Sequence, residues 1–154
     1  MVKRAFILLI AAAVTALDQL FKGYVAANLA VGEQLAFVPH VLALTHVENF
    51  GVSFSIFSGN AAAMTTVNIV SAAAIVALII YILRGRVTAW LGTALAFIAG
   101  GALGNLIDRL RLGKVVDMFM TLFVNFAIFN IADVFLTIGV VMLAIYLLKS
   151  EKRK

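Results

Sequence analysis

Four aspartates, Asp18, Asp108, Asp117 and Asp133, stand in a chain of 154 residues that is 64% hydrophobic and 12% charged. Three of them fall within one stretch, residues 100–133, GGALGNLIDRLRLGKVVDMFMTLFVNFAIFNIAD. An aspartate at the centre of a bilayer costs roughly 2.5–3.5 kcal/mol on insertion scales, so such residues face a wet cavity, pair, or do chemistry. Asp117 and Asp133 are separated by an almost wholly apolar segment able to return both to one site at the membrane edge. Two carboxyls held close in a low-dielectric setting cannot both ionise easily, and one proton is shared between them. The ionised partner then takes a proton from water while the protonated one polarises a carbonyl, which is the logic of aspartic proteolysis. Asp117 and Asp133 are therefore candidates for a peptide-hydrolysing pair.

Each candidate also has a purely structural reading. Asn130 as N-cap, with Asp133 three residues on, suits the start of a helix, where free N–H groups and the dipole favour acceptors and negative charge. Asp117 reads equally as a loop acid paired with Lys114 or Arg111. Asn105, Asp108 and Arg109 either end a helix and anchor it at the headgroups, or hold the following loop so that Asp117 points inward. Asn49, in the stretch VENFGVSFS, is an ordinary turn residue or an amide that positions a substrate backbone. His40 and His46 lie six apart beside a single acid, Glu48, which is too few ligands for a metal shell. There is no serine in a nucleophile-elbow pattern and no glycine-rich loop with the lysine that phosphate binding needs. Phe and Met at 118–129 suit membrane anchoring or packing, or a groove for lipid.

The elements that must position these residues follow from hydropathy. A mean hydropathy of +1.13 excludes a soluble globular domain and predicts an integral membrane protein. One proline and no low-complexity tract predict a single domain over 1–154. Zero Cys excludes disulfides, thiolate chemistry and lipid attachment through Cys. Apolar runs at about 5–25, 62–83, 88–106 and 130–148 are each long enough to span. The first also begins as a secretory signal peptide would, with Lys3 and Arg4 before an apolar core, but it continues past Ala16. In it, Asp18 and Lys22 share a helix face and can pair, with Lys22 able to snorkel outward. Ala96, Gly100 and Gly104, with Gly101 beside them, place small residues on one face of the third span and permit close helix packing. Between spans, residues 28–59 alternate with a near two-residue period and predict a small β-rich segment against the membrane surface. Residues 107–128 form a second outer segment, in which MFMTLFVNFAIF is too short to span and is expected to rest in the interface.

Four helices place Lys3, Arg4, Arg84, Arg86, Lys149, Lys152, Arg153 and Lys154 on one side, which the positive-inside rule assigns to the cytoplasm. The basic residues behind the +5 net charge thus have a topological account, and nucleic acid is not an expected partner. Both termini are then cytoplasmic, and Asp18, Lys22, Asn49, Asn105, Asp108, Asp117, Asn130 and Asp133 gather at the outer face. The expected fold is an all-α membrane protein of four transmembrane helices with a small extracytoplasmic β-rich segment and an interfacial segment.

Four blocks then carry a resemblance that covers nearly the whole chain: Asp18-Gln19 with Lys22; Asn49-x-Gly51-x-x-Phe54-Ser55; GGALGNLIDRLRLGKVVD at 100–117; and Phe129-Asn130-x-Ala132-Asp133. In these the sequence resembles the lipoprotein signal peptidases, also called signal peptidase II. The resemblance implies that Asp117 and Asp133 are the catalytic dyad and that Asp18, Lys22, Asn49, Gly51, Asn105, Asp108, Arg109, Asn130 and Ala132 bind substrate or support the site. It implies removal of the signal peptide from diacylglyceryl-modified bacterial prolipoproteins, before the lipidated Cys, with no metal or organic cofactor. Its partners are that substrate and membrane lipid, its location the bacterial inner membrane, and a monomer is expected. Val52, Ser53, Phe21, Met118, Ala127 and Val134 depart from the family's usual residues, which bears on pocket shape and inhibitor binding. The rival readings are a small proton-coupled transporter built on the same charges, and a non-catalytic scaffold resembling the peptidase.

Overall fold

The computed structural model describes residues 4–52 and 56–151, so Lys3, Ser53, Phe54, Ser55, Lys152, Arg153 and Lys154 lie outside the described residues. Four helices are long and apolar enough to cross a membrane: α1 (Arg4–Asn28), α2 (Ala61–Arg84), α3 (Ala89–Leu112) and α4 (Ile131–Glu151). A three-stranded antiparallel sheet of order β1-β2-β3 completes the fold, with β1 at Gln34–Val38, β2 at Leu42–Asn49 and β3 at Val115–Thr121.

Helix α3 is the hub, packed against the three other helices. The glycine stripe is what lets backbones approach. A Cβ at Gly100 would lie 2.6 Å from the Ala11 carbonyl of α1, and one at Gly104 would lie 2.5 Å from Asp18 Oδ2. A Cβ at Gly101 would run into the Ala132 carbonyl and Leu136 of α4. Small residues on two faces of α3 thus bring α1 and α4 against it at the same level, as helix association in lipid requires.

Two segments differ from expectation. The third span does not stop near 106: α3 runs on to Leu112, and Gly113, in the left-handed region at φ 70°, closes it by donating to the Arg109 carbonyl. Asp108 and Arg109 are therefore helix residues and not loop residues. The helix tolerates Asp108 because α1 supplies its counter-charge, Lys22 Nζ at 3.1 Å. The expected interfacial segment, residues 118–129, begins as strand, since β3 runs on to Thr121. β3 pairs with β2, with Asp117 opposite Val47 and Phe119 opposite Leu44. The rest returns as a loop, tied by Phe129 N–H to the Phe119 carbonyl. Alternation in β3 sends Val116 and Met118 into a core with Val25, Leu29 and Leu44, while Val115 and Asp117 line a cavity on the other face.

Candidate active site

The cavity, about 300 Å³, lies where β3, the start of α4 and the last turns of α3 converge, and Asn49, Asn105, Arg109, Asp117, Asn130 and Asp133 line it. Asp117 and Asp133 thus face one space from two elements. Asp117 is 3% exposed. Neither Lys114 nor Arg111 pairs with it: Lys114 instead binds Glu48 at 2.6 Å.

Three asparagines fix the two carboxyls. Asn49 Nδ2 donates to Asp117 Oδ2 at 2.9 Å, and Asn130 Nδ2 donates to Asp117 Oδ1 at 2.7 Å. Asn105 Nδ2 donates to Asp133 Oδ1 at 2.8 Å. Each amide is oriented by a donor on its oxygen: the Gly51 N–H for Asn49, the Asp133 N–H for Asn130, and Lys22 Nζ at 2.8 Å for Asn105. An ammonium can only donate, so Lys22 holds the Asn105 oxygen toward itself and turns the amide NH₂ to Asp133. Asn130 Nδ2 also reaches Asn105 Oδ1 at 3.0 Å, which joins the two acids through one continuous hydrogen-bond network.

Capping and a place in the cavity coexist at Asp133. Asn130 Oδ1 accepts from the Asp133 N–H at 2.9 Å and Asp133 Oδ2 accepts from the Asn130 N–H at 3.1 Å, a reciprocal capping box at the start of α4. The other carboxylate oxygen remains directed to Asn105 and the cavity. The structural and chemical readings of this residue are thus not exclusive.

Behind the cavity lies a buried charge cluster. Lys22 sits 2.8 Å from Asp18 and 3.1 Å from Asp108, with the three side chains at most 4% exposed. Lys22 therefore does not snorkel outward; two carboxylates and Asn105 hold it inside. Asp18 Oδ1 also accepts from the fully buried Ala132 N–H at 2.9 Å, tying α1 to the first turn of α4. Asp108 accepts from Gln19 at 2.8 Å and from the Val116 N–H at 3.2 Å, which anchors β3 beside Asp117. Arg109 Nη2 donates to the Gly51 carbonyl at 3.4 Å. Away from the site, His46 Nδ1 is 2.9 Å from the Leu29 carbonyl, and no group of three metal-ligating side chains occurs among the described residues.

Burial holds the Asp117 carboxyl above its ordinary 3.8, at about 6. Desolvation is the largest cause, and the Asp133 charge adds to it, whereas the Asn49 and Asn130 donors and the Lys22 charge oppose it.

This geometry meets an independent finding from sequence. Residues 10–149 match the protein family described as Signal peptidase (SPase) II. The chain is 40% identical to the lipoprotein signal peptidase of Enterococcus faecalis over 94% of its own length and 88% of that protein. It is 40% identical to that of Lactobacillus gasseri, over 97% of each chain. The chain belongs to the signal peptidase II family. A solved bacterial membrane enzyme determined by the in meso method at 2.3 Å superposes with a TM-score of 0.89 at 35% identity, covering 97% of this chain and 92% of the other. A second, at 1.9 Å, gives 0.84 at 36% identity, covering 94% of each. The protein is a multi-pass bacterial membrane peptidase.

Within this signal peptidase II fold the departing residues separate. Val52 and Ala127 line the cavity. Val134 lines an apolar groove of about 280 Å³ that runs from Asp133 past Phe126, Phe129 and Thr137. Met118 is fully buried on the opposite face of β3, in the core with α1, so it does not shape the pocket. Ser53 is outside the described residues. Sequence reasoning named Gln19 within a matching block but gave no role to it, though it links Asp108 to the Gly104 carbonyl, and it did not name Ser71 and Thr137, which line the cavity from α2 and α4. For Gln19 the signal was present, one residue from Asp18; for the other two, isolated hydroxyls in apolar spans carried none.

Proposed function

We propose that this peptidase removes the signal peptide from diacylglyceryl-modified prolipoproteins by an aspartic mechanism, cleaving before the lipidated Cys. The observation that carries the reading is the convergence of Asp117 and Asp133 on one cavity, with both carboxyls held by asparagine donors. Asp133 occupies the first turn of α4, where a negative charge is best accommodated. It acts as general base toward a water in the cavity. Asp117, raised to about 6, holds the shared proton and gives it to the scissile carbonyl oxygen. The gem-diol intermediate collapses as the proton taken by Asp133 passes to the leaving nitrogen and one diol hydroxyl returns its proton to Asp117, which restores both carboxyls.

Arg109, Asn49, Gly51, Asn105, Asn130, Ala132, Asp18, Lys22 and Asp108 support that pair or contact substrate. The signal segment lies among the spans and reaches the cavity laterally from lipid, along Ala102, Leu136 and Thr137. The apolar groove beside Val134 offers room for an acyl chain. The whole chain acts as one domain, as a monomer, with both termini cytoplasmic and the cavity near the outer face.

Cleavage of a lipidated precursor peptide in micelles tests the reading. Asp117→Asn and Asp133→Asn should each lower kcat by about 10²–10⁴ or more, and the double variant should be no worse than the weaker single one, because the two residues act as a unit. Cleavage near the wild-type rate by either single variant would remove the dyad.

A further inference from the structure

Of the two amides that donate to Asp117, Asn130 is fully buried at the start of α4, whereas Asn49 stands where a strand runs out. Asn49 is the last residue of β2 and pairs with Val115, the first of β3. The end of a ladder frays at almost no free-energy cost. Yet the amide has to keep its Nδ2 at 2.9 Å from Asp117 Oδ2. A contact beyond the ladder is needed to hold this end shut.

Lys114 supplies it from the residue just before β3. Its Nζ lies 2.6 Å from Glu48 Oε1 on the neighbouring strand and 5.9 Å from the centre of the Phe50 ring. Glu48 and Phe50 flank Asn49 in the chain, so one ammonium grips both neighbours of the amide. Strand alternation turns Glu48 off the face that carries Asn49, and neither Glu48 nor Lys114 lines the catalytic cavity. Holding Phe50 also fixes the turn that follows. The Gly51 N–H donates to Asn49 Oδ1 at 2.9 Å, which leaves Nδ2 for Asp117 and, at 3.4 Å, for the Val52 carbonyl. The Lys114 and Glu48 side chains are 27% and 25% exposed. An ion pair so placed adds little to overall stability, yet it biases a local equilibrium by up to about fivefold. At a strand end near balance, that bias decides whether the donor is in place.

We propose that Lys114, through its clasp on Glu48 and Phe50, is a positioning residue for the peptidase reaction and keeps the Asn49 amide aimed at Asp117. The proposal rests on the aspartic reading above. Lys114 makes no bond to either carboxyl of the pair, so its effect is carried by Asn49. The consequence is a pH signature. A donor to the carboxylate favours the ionised form, and loss of the Asn49 donor therefore raises the pH at which Asp117 titrates. The other charged groups that act on Asp117 are Asp133 on α4, Lys22 on α1 and Arg109 on α3. Changes at 114 or 48 remove none of them.

The test follows kcat/KM for a synthetic diacylglyceryl precursor peptide against pH. The enzymes are the wild type, Lys114→Met, Lys114→Arg, Glu48→Leu, Asn49→Ala, and Lys114→Met combined with Asn49→Ala. Lys114→Met and Glu48→Leu should each move the limb set by Asp117, falling or rising, upward by about 0.5–1 pH unit, and no further than Asn49→Ala does. Lys114→Arg should keep the wild-type position, and in the Asn49→Ala background Lys114→Met should move nothing more. A plain field effect gives another pattern: removal of the cation raises the limb, removal of the anion lowers it, and the Lys114 shift persists without Asn49. Opposite shifts, a persistent shift, or no shift in the two single variants overturns the proposal. The position of the limb does not depend on the amount of folded enzyme, so a variant that folds poorly still reports it. Failure of the wild type to cleave the peptide would instead strike the peptidase reading itself.

Discussion

At Asp117 the raised carboxyl gives the site a pH signature. The proton that Asp117 contributes is present below about 6 and lost above it, so kcat/KM should fall with rising pH through that region with the slope of a single ionisation. A profile that rises through about 6 would make Asp117 the base and exchange the two roles. The same shift has a linkage consequence. Because the folded value lies above the ordinary 3.8, this carboxyl favours folding fully below the ordinary value, and the contribution is lost as pH climbs through about 6. The Tm difference between the wild type and Asp117→Asn should move against the wild type over that interval. At Lys22 the issue is burial. Lys22→Met would leave Asp18 and Asp108 enclosed with no cation between them, at a cost of about 3–5 kcal/mol, visible as a marked fall in Tm in detergent. It also frees the Asn105 amide to turn, so residual folded enzyme should be slow. The Asp18–Lys22 pair was legible in the sequence from four-residue spacing; its burial was not, because the third member, Asp108, is contributed by another helix and that contact has no local signature.

Among the elements, α3 sets the geometry through its glycines. Gly101→Ala drives a methyl into the Ala132 carbonyl and Leu136, in the turn that carries Asp133. A displacement of about 1 Å in a catalytic group costs on the order of 10² in rate, so this variant should lose far more kcat than a methyl group suggests. Gly23→Ala is the contrast, since a Cβ there meets nothing within 4 Å. It should keep its activity and gain about 0.5–1 kcal/mol of helix stability, and parallel assays of the two variants decide the matter. The spans and the glycine face were readable from hydropathy and spacing. Strand β3 was not, because Val116 and Met118 pack against α1 while Val115 also faces inward, so both sides of the strand are apolar or buried and no polar alternation marks it. The end of α3 was misplaced for a related reason. Charges at 108 and 109 read as a helix terminus until their partners on α1 and in the 50s segment are known.

For the molecule as a whole, the prediction concerns sidedness. Arg4, Arg84 and Lys149 lie at helix ends remote from the sheet and Arg86 in the turn that joins α2 to α3, a side that the positive-inside rule assigns to the cytoplasm. Because the chain has no native Cys, single introduced cysteines report cleanly. Arg86→Cys should react with an impermeant thiol reagent only after cells are opened, and Glu33→Cys should react in intact spheroplasts. The opposite pattern would invert the protein. Hydropathy and charge bias made the architecture readable at this scale, and the four-block pattern pointed to the candidate pair.

The charge cluster also bears on how the chain enters the bilayer. Asp18 and Lys22 lie one turn apart on α1 and neutralise one another within that segment, so the first span emerges from the ribosome as a locally balanced passenger. Asp108 comes later, and in the fold its ion pair is made with Lys22 of α1 at 3.1 Å and not with Arg111 three residues along its own helix. The third span is therefore expected to settle to its full depth only once α1 is in place to meet it, and Lys22→Met should slow that step.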